Sequence, residues 1–223
     1  MSSVTRFDKE LASFLSADQA DVLNAIISWL NTLDSPYITL GGYAGTGKTT
    51  LISLLRTLIH KQQPKKKVAF ASYTENASQV LKQKLVEHKA LYKGDSCGTI
   101  HSLMYSAEID KDGRVLSWKR TKELEFDLII IDEASMVNSE IWRDLLSYRL
   151  PIIAVGDHGQ LPPIESSGFN LMNEPILRLE KIHRQAQGNP IIEVATMARE
   201  HGEIPFKKFS STVMKVHGDS DDA

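Results

Sequence analysis

Apolar positions along the chain fall into two alternating rhythms. Ala20, Leu23, Ile26, Ile27 and Leu30 recur at helical spacing and predict a helix over 18–33, with Ser16 as candidate N-cap. Tyr37-Ile38-Thr39-Leu40 is a short β-forming run that leads into the glycine cluster Gly41 to Gly47, and residues 49–60 return to a helical pattern. Val68 to Ser72 predicts a second strand and residues 77–87 a helix. Leu128-Ile129-Ile130-Ile131 is the strongest buried-strand signal in the chain, and Pro151 to Val155 predicts a fourth strand. Strands alternating with helical stretches predict parallel βαβ units, hence an α/β fold with helices on both faces of the sheet. The rhythm breaks at Glu108 to Trp118, where Asp112-Gly113 sits between two short alternating runs. This predicts a small β-hairpin insertion over 104–125. The segment from His217 is Gly-, Ser- and Asp-rich and predicts a disordered acidic end.

Composition narrows the class. A chain of 223 residues with 42% hydrophobic and 24% charged residues is too apolar for a disordered polymer. Its length suits one substantial domain with at most a small appendage. No apolar run approaches the roughly 20 residues that span a bilayer, and Met1 to Glu10 has no apolar signal core. A single cysteine, Cys97, permits no internal disulfide and fits a reducing cytoplasm. Net charge is −2, yet residues 60–125 hold 13 Lys/Arg against 8 Asp/Glu. That basic middle is compatible with a phosphate-binding face, and equally with a solvated lysine-rich surface.

The chemistry begins at Gly42-Tyr43-Ala44-Gly45-Thr46-Gly47-Lys48-Thr49, which satisfies G-x-x-x-x-G-K-[ST] between a strand and a helix. Glycines let backbone N–H groups curl around phosphate oxygens, Lys48 offers a mobile cation, and Thr49 can ligate Mg²⁺. The candidate triphosphate site therefore comprises Gly42, Ala44, Gly45, Thr46, Gly47, Lys48, Thr49 and Thr50, with ATP and Mg²⁺ as the implied ligands. Asp132, at the end of the Leu128–Ile131 run, suits a metal-holding carboxylate. The adjacent Glu133 suits a base that polarises water for attack on the terminal phosphate. Gln160 follows the fourth strand, and its neutral amide suits hydrogen bonding to that phosphate.

Three segments carry a family resemblance. Gly156-Asp157-His158-Gly159-Gln160-Leu161-Pro162-Pro163-Ile164 resembles motif III of superfamily 1 helicases. Thr99-Ile100-His101-Ser102-Leu103 resembles the T-I-H-S segment of their RecD-like, 5′-to-3′ branch, which includes phage Dda-type helicases. Asp132-Glu133-Ala134-Ser135-Met136 is similar to that branch's motif II. The matches run in family order from Gln19 to about Glu200. The resemblance implies an N-terminal RecA-like, P-loop NTPase motor domain formed by 1–103 and 126–206, with 207–223 a C-terminal segment.

By the same resemblance Gln19 reads adenine, Gln160 couples phosphate state to DNA grip, and Arg184 is the motif IV arginine that stabilises transition-state charge. Thr74, Asn76, Thr99 and His101 become candidate contacts to single-stranded DNA, through hydroxyl, amide and loop groups suited to phosphate oxygens. Relatives often carry Lys or Arg where this chain has Asn76. They also place a duplex-splitting β element where the hairpin insertion falls. Within it, simple hairpin packing is the favoured use of Trp118, and a wedge at a duplex junction the alternative. Such motors hydrolyse ATP between two RecA-like lobes. The 19 residues after Ile204 are too few for a second one. The expectation is thus an ATPase unit, weak by itself, completed by a second lobe in cis or by a partner protein in trans. A single-lobe ATPase and a nucleotide-dependent binding module are the alternatives.

Overall fold

A computed structural model describes residues 15–111, 114–163 and 168–180, together with Pro205 and Lys208. Met1 to Glu10, Arg184 and the acidic end lie outside the described residues. The chain divides into two compact units, Met1–Glu180 and Lys181–Ala223, and every element below belongs to the first.

Helix α1 (Ala17–Thr32) opens the described fold. Ser16 and Gln19 form a reciprocal capping box, and Leu33 closes the helix in the left-handed region. Strand β1 (Tyr37–Gly42) runs into the phosphate loop and α2 (Lys48–Gln62). Then come β2 (Val68–Ser72), α3 (Glu75–Glu87), β3 (Ser96–Thr99), the short α4 (Ile100–Met104) and the hairpin strands β4 (Tyr105–Ile109) and β5 (Val115–Arg120). Strand β6 (Leu128–Asp132), a 3-10 turn (Ala134–Met136), α5 (Ser139–Leu146), β7 (Ile152–Gly156) and β8 (Leu177–Leu179) complete it.

Six strands form one sheet in the order β3-β2-β6-β7-β1-β8, with all neighbouring pairs parallel. The central strands read as continuous apolar runs because both faces are covered. Val68, Phe70, Leu128, Ile130, Ile153 and Val155 pack with α1, α2 and α3. The intervening Ala69, Ala71, Ile129, Ile131, Ile152 and Ala154 pack with α4 and α5, where Trp142 and Leu145 are buried. This is the expected α/β arrangement. Strands β3 and β8 carry no legible strand pattern in the sequence. Ser96-Cys97-Gly98-Thr99 is a half-buried edge strand with no apolar alternation, and β8 spans three residues.

Among the described residues, the hairpin is anchored at its base. Tyr105 OH donates to Asp144 Oδ2 (2.8 Å), Arg120 donates to the Asp144 carbonyl (2.8 Å) and lies over the Tyr148 ring, and Tyr148 OH donates to the Thr121 carbonyl (2.9 Å). Beyond that base all of β5 is exposed. Trp118 is 67% exposed, which corrects the favoured packing role. A two-stranded ribbon has no third layer to cover an indole.

Candidate functional site

The parallel sheet brings the carboxyl ends of its strands to one edge, where open α/β sheets form ligand crevices. Register aligns Gly41 with Gly156 and Ser72 with both Asp132 and Thr99. The segments leaving β1, β2, β6 and β7 therefore meet. A cavity of about 480 Å³ opens there, lined among others by Lys48, Thr49, Asp132, Glu133, Asp157 and Gln160.

The loop conformation follows from its residues. Gly45 (φ 82°) and Gly47 (φ 85°) occupy the left-handed region that glycine enters freely. A Cβ on Gly42 would lie 2.7 Å from Thr46 Oγ1, so only glycine lets the loop close on β1. Thr46 is buried and donates its hydroxyl to the Tyr43 carbonyl (2.9 Å). Gly47 precedes α2 without a side-chain cap, which leaves the helix N-terminus with its N–H groups for an anion. Thr50 is exposed on the first turn of α2.

Lys48 folds back, its ammonium donating to the Gly42 (2.5 Å) and Tyr43 (3.0 Å) carbonyls. Burial pulls its pKa below the ordinary lysine value, partly offset by Asp157, Asp132 and Glu133. Burial likewise holds the Asp132 carboxyl above its ordinary value, against the opposing pull of the Glu133 N–H and Lys48. A half-buried carboxylate and a threonine hydroxyl lining one cavity are oxygen donors of the kind Mg²⁺ takes, so Thr49 and Asp132 fit that ion. Glu133 stands in the left-handed region (φ 56°), a strained conformation for a side chain with a Cβ. The strain turns the chain from β6 into the 3-10 turn at the cavity wall.

Gln19 is buried, and its amide Nε2 donates to the Thr46 carbonyl (3.0 Å) while Oε1 accepts from Ser16 N–H (3.2 Å). Both ends of the amide are thus used within the protein, tying α1 to the phosphate loop. Thr74 caps α3, accepting from Ala77 N–H (3.2 Å), and with Asn76 lines the same cavity as Lys48. Thr99 caps α4 one strand away, accepting from Ser102 N–H (3.0 Å). His101 is exposed, with Tyr73 and Tyr105 rings about it at 6.3 and 6.1 Å. The four candidate DNA contacts therefore split into two pairs. The local sequence gives Asp157 and Ser135 no separate role. Asp157 sits just after β7 as Asp132 ends β6, a parallel visible in sequence only once both strands are aligned. Tyr43 of the phosphate loop packs its ring on His158, 4.4 Å between centroids.

Fold and site together define a phosphate-loop nucleotide-binding protein of the RecA-like α/β type. Residues 14–217 match the family described as AAA domain, and the chain belongs to it. It is 33% identical over 157 residues to the RecBCD enzyme subunit RecD of Buchnera aphidicola subsp. Schizaphis graminum, covering 64% of this chain and 26% of that one. It is 28% identical over 194 residues to the ATP-dependent DNA helicase dda of Enterobacteria phage T4, covering 82% of this chain and 41% of that one. The crystal structure of Pif1 helicase from Candida albicans superposes with TM-score 0.52 at 21% identity, over 86% of this chain and 45% of that one. The chain spans between about a quarter and two fifths of these curated relatives. The likeness to RecD and to the dda helicase agrees with the resemblance carried by residues 99–103, 132–136 and 156–164.

Proposed function

We propose that this chain is the ATP-hydrolysing motor unit of a cytoplasmic 5′-to-3′ DNA helicase serving replication or recombination. It works with a second RecA-like lobe supplied in cis or by a partner. The observation that carries the reading is the single cavity shared by Lys48, Thr49, Asp132, Glu133 and Gln160. Such a cavity holds a triphosphate with its terminal phosphate between cation, carboxylates and amide.

In this mechanism the α2 N-terminus and Lys48 hold the phosphates, exchanging the ammonium's loop carbonyls for phosphate oxygens. Thr49 and Asp132 would hold Mg²⁺, which would supply charge neutralisation on the outer phosphates. Glu133 orients a water for in-line attack and accepts its proton. The motif resemblance assigns Arg184 the stabilisation of charge on the transferring group. Thr74 and Asn76 border the cavity, so loss of the terminal phosphate reaches the candidate DNA contacts directly, with Thr99 and His101 extending that face. The exposed hairpin presents Trp118 to a duplex junction.

Steady-state ATP turnover with and without single-stranded DNA tests the reading. Lys48→Ala is expected to abolish nucleotide-dependent stabilisation, and Glu133→Gln to retain binding while losing turnover. Unchanged affinity in Lys48→Ala sinks the site. Tight binding with no turnover, even when a second lobe is supplied, favours a nucleotide-dependent binding module. Unwinding of 5′- against 3′-tailed duplexes by the assembled helicase tests polarity.

A further inference from the structure

Ser135 lies in the 3-10 turn after Glu133 and is buried, 2% exposed. Its hydroxyl donates to Gln160 Oε1 (2.8 Å), across 25 residues of sequence. The contact requires the turn to lie against the end of β7. Gly156 allows this, since a Cβ there would fall 3.0 Å from Ser135 N and closer still to the Met172 side chain. Gln160 is held from its own side by a turn, its N–H donating to the Asp157 carbonyl (3.1 Å) and Gly159 N–H to Asp157 Oδ1 (2.8 Å).

A glutamine amide has an acceptor end and a donor end, and only the donor end serves a phosphate. We infer that Ser135 is a positioning residue that fixes the polarity of the Gln160 amide, holding Oε1 so that Nε2 is the end offered to the terminal phosphate. The inference rests on the cavity taking ATP. It makes Ser135 the direct link between the segment carrying Glu133 and the residue that distinguishes triphosphate from diphosphate. Without that hydroxyl the amide samples both orientations, one of which points an oxygen lone pair at an anion.

The test is a comparison of affinities for a non-hydrolysable ATP analogue and for ADP, both with Mg²⁺, on the whole chain. Ser135→Ala is expected to lower the preference for triphosphate over diphosphate by about tenfold, the scale of one hydrogen bond to a charged group, with ADP affinity unchanged. Ser135→Thr restores the preference, because its hydroxyl can donate in the same way. Gln160→Ala loses the preference equally, and the double variant Ser135→Ala/Gln160→Ala is no worse than Gln160→Ala alone. An unchanged ratio in Ser135→Ala, or additive losses in the double variant, overturns the inference while leaving the nucleotide site intact. A shift in melting temperature without a change in ratio means mere packing and overturns it too. Failure of the wild-type chain to bind either nucleotide overturns both this inference and the function it rests on.

Discussion

Arg56 and Asp95 form an ion pair with both side chains at 0% exposure. Removing Asp95 is expected to be strongly destabilising. Its carboxylate accepts from Arg56 Nε (2.8 Å) and Nη2 (3.0 Å), from Val68 N–H (2.9 Å) and from Tyr92 N–H (2.9 Å). It thereby joins the phosphate-loop helix α2 to the start of β2. Asp95→Ala leaves a guanidinium in the interior with the Lys66 carbonyl (3.1 Å) and the Tyr92 ring face (4.7 Å) as its remaining contacts. Breaking a buried pair costs about 3–5 kcal/mol, and each deprived N–H about 1–3 kcal/mol more. The lower ends together give about 5 kcal/mol, the scale of a whole domain's stability, roughly 5–15 kcal/mol. Arg56→Met is gentler, about 3 kcal/mol, because the carboxylate keeps both backbone donors. Urea denaturation of the two single variants and the double gives the cycle. The double variant is expected to lose clearly less than the sum of the singles. Additive losses, or less than about 1 kcal/mol for Asp95→Ala, would refute the account. Arg56→Met should keep wild-type nucleotide affinity in its folded fraction, because the pair lies away from the cavity.

Three further outcomes are expected. Asp132 binds its proton more tightly in the fold than unfolded, so its penalty is full above its raised pKa and vanishes below the ordinary carboxylate value. Asp132→Asn should therefore raise the melting temperature of the nucleotide-free chain at neutral pH, with the gain shrinking in acid, while Mg²⁺-dependent nucleotide binding weakens; melts across pH with and without Mg·ATP check both, and a pH-independent difference would contradict the cause. Gly41→Ala places a Cβ against the Pro175 ring and 2.9 Å from His158 Nδ1, and should cost about 1–3 kcal/mol by denaturant titration. Trp118→Ala should change stability by less than about 0.5 kcal/mol, since the indole is mostly exposed, while strand separation by the assembled helicase falls; marked destabilisation would show that the ring packs after all.

Much of the nucleotide site is written locally. The loop Gly42–Thr49 needs glycines at positive φ and a lysine at one spacing, and these are properties of consecutive residues. The runs β1, β2, β6 and β7 are likewise visible, because a strand covered on both faces is mostly apolar along its length, with Thr39 of β1 buried among them. Strand β3 was hidden by its edge position, where half-burial tolerates Ser, Gly and Thr. The use of Gln19 within a capping box and on the Thr46 carbonyl was hidden too, since the same glutamine is equally suited to adenine.

Sequence alone determined helices α1 to α3, strands β1, β2, β6 and β7, the hairpin, the phosphate-loop motif and the adjacent carboxylates Asp132-Glu133, all of which depend on neighbours along the chain; the short elements β3, α4, α5 and β8 were decided by packing. Only the tertiary structure decided that Ser135 meets Gln160, that Asp157 shares a cavity with Lys48, that Arg56 finds Asp95 and that Trp118 stands clear of any core. These are contacts between segments whose separation is set by strand order, and a parallel sheet arranged β3-β2-β6-β7-β1-β8 brings together residues that no local pattern connects.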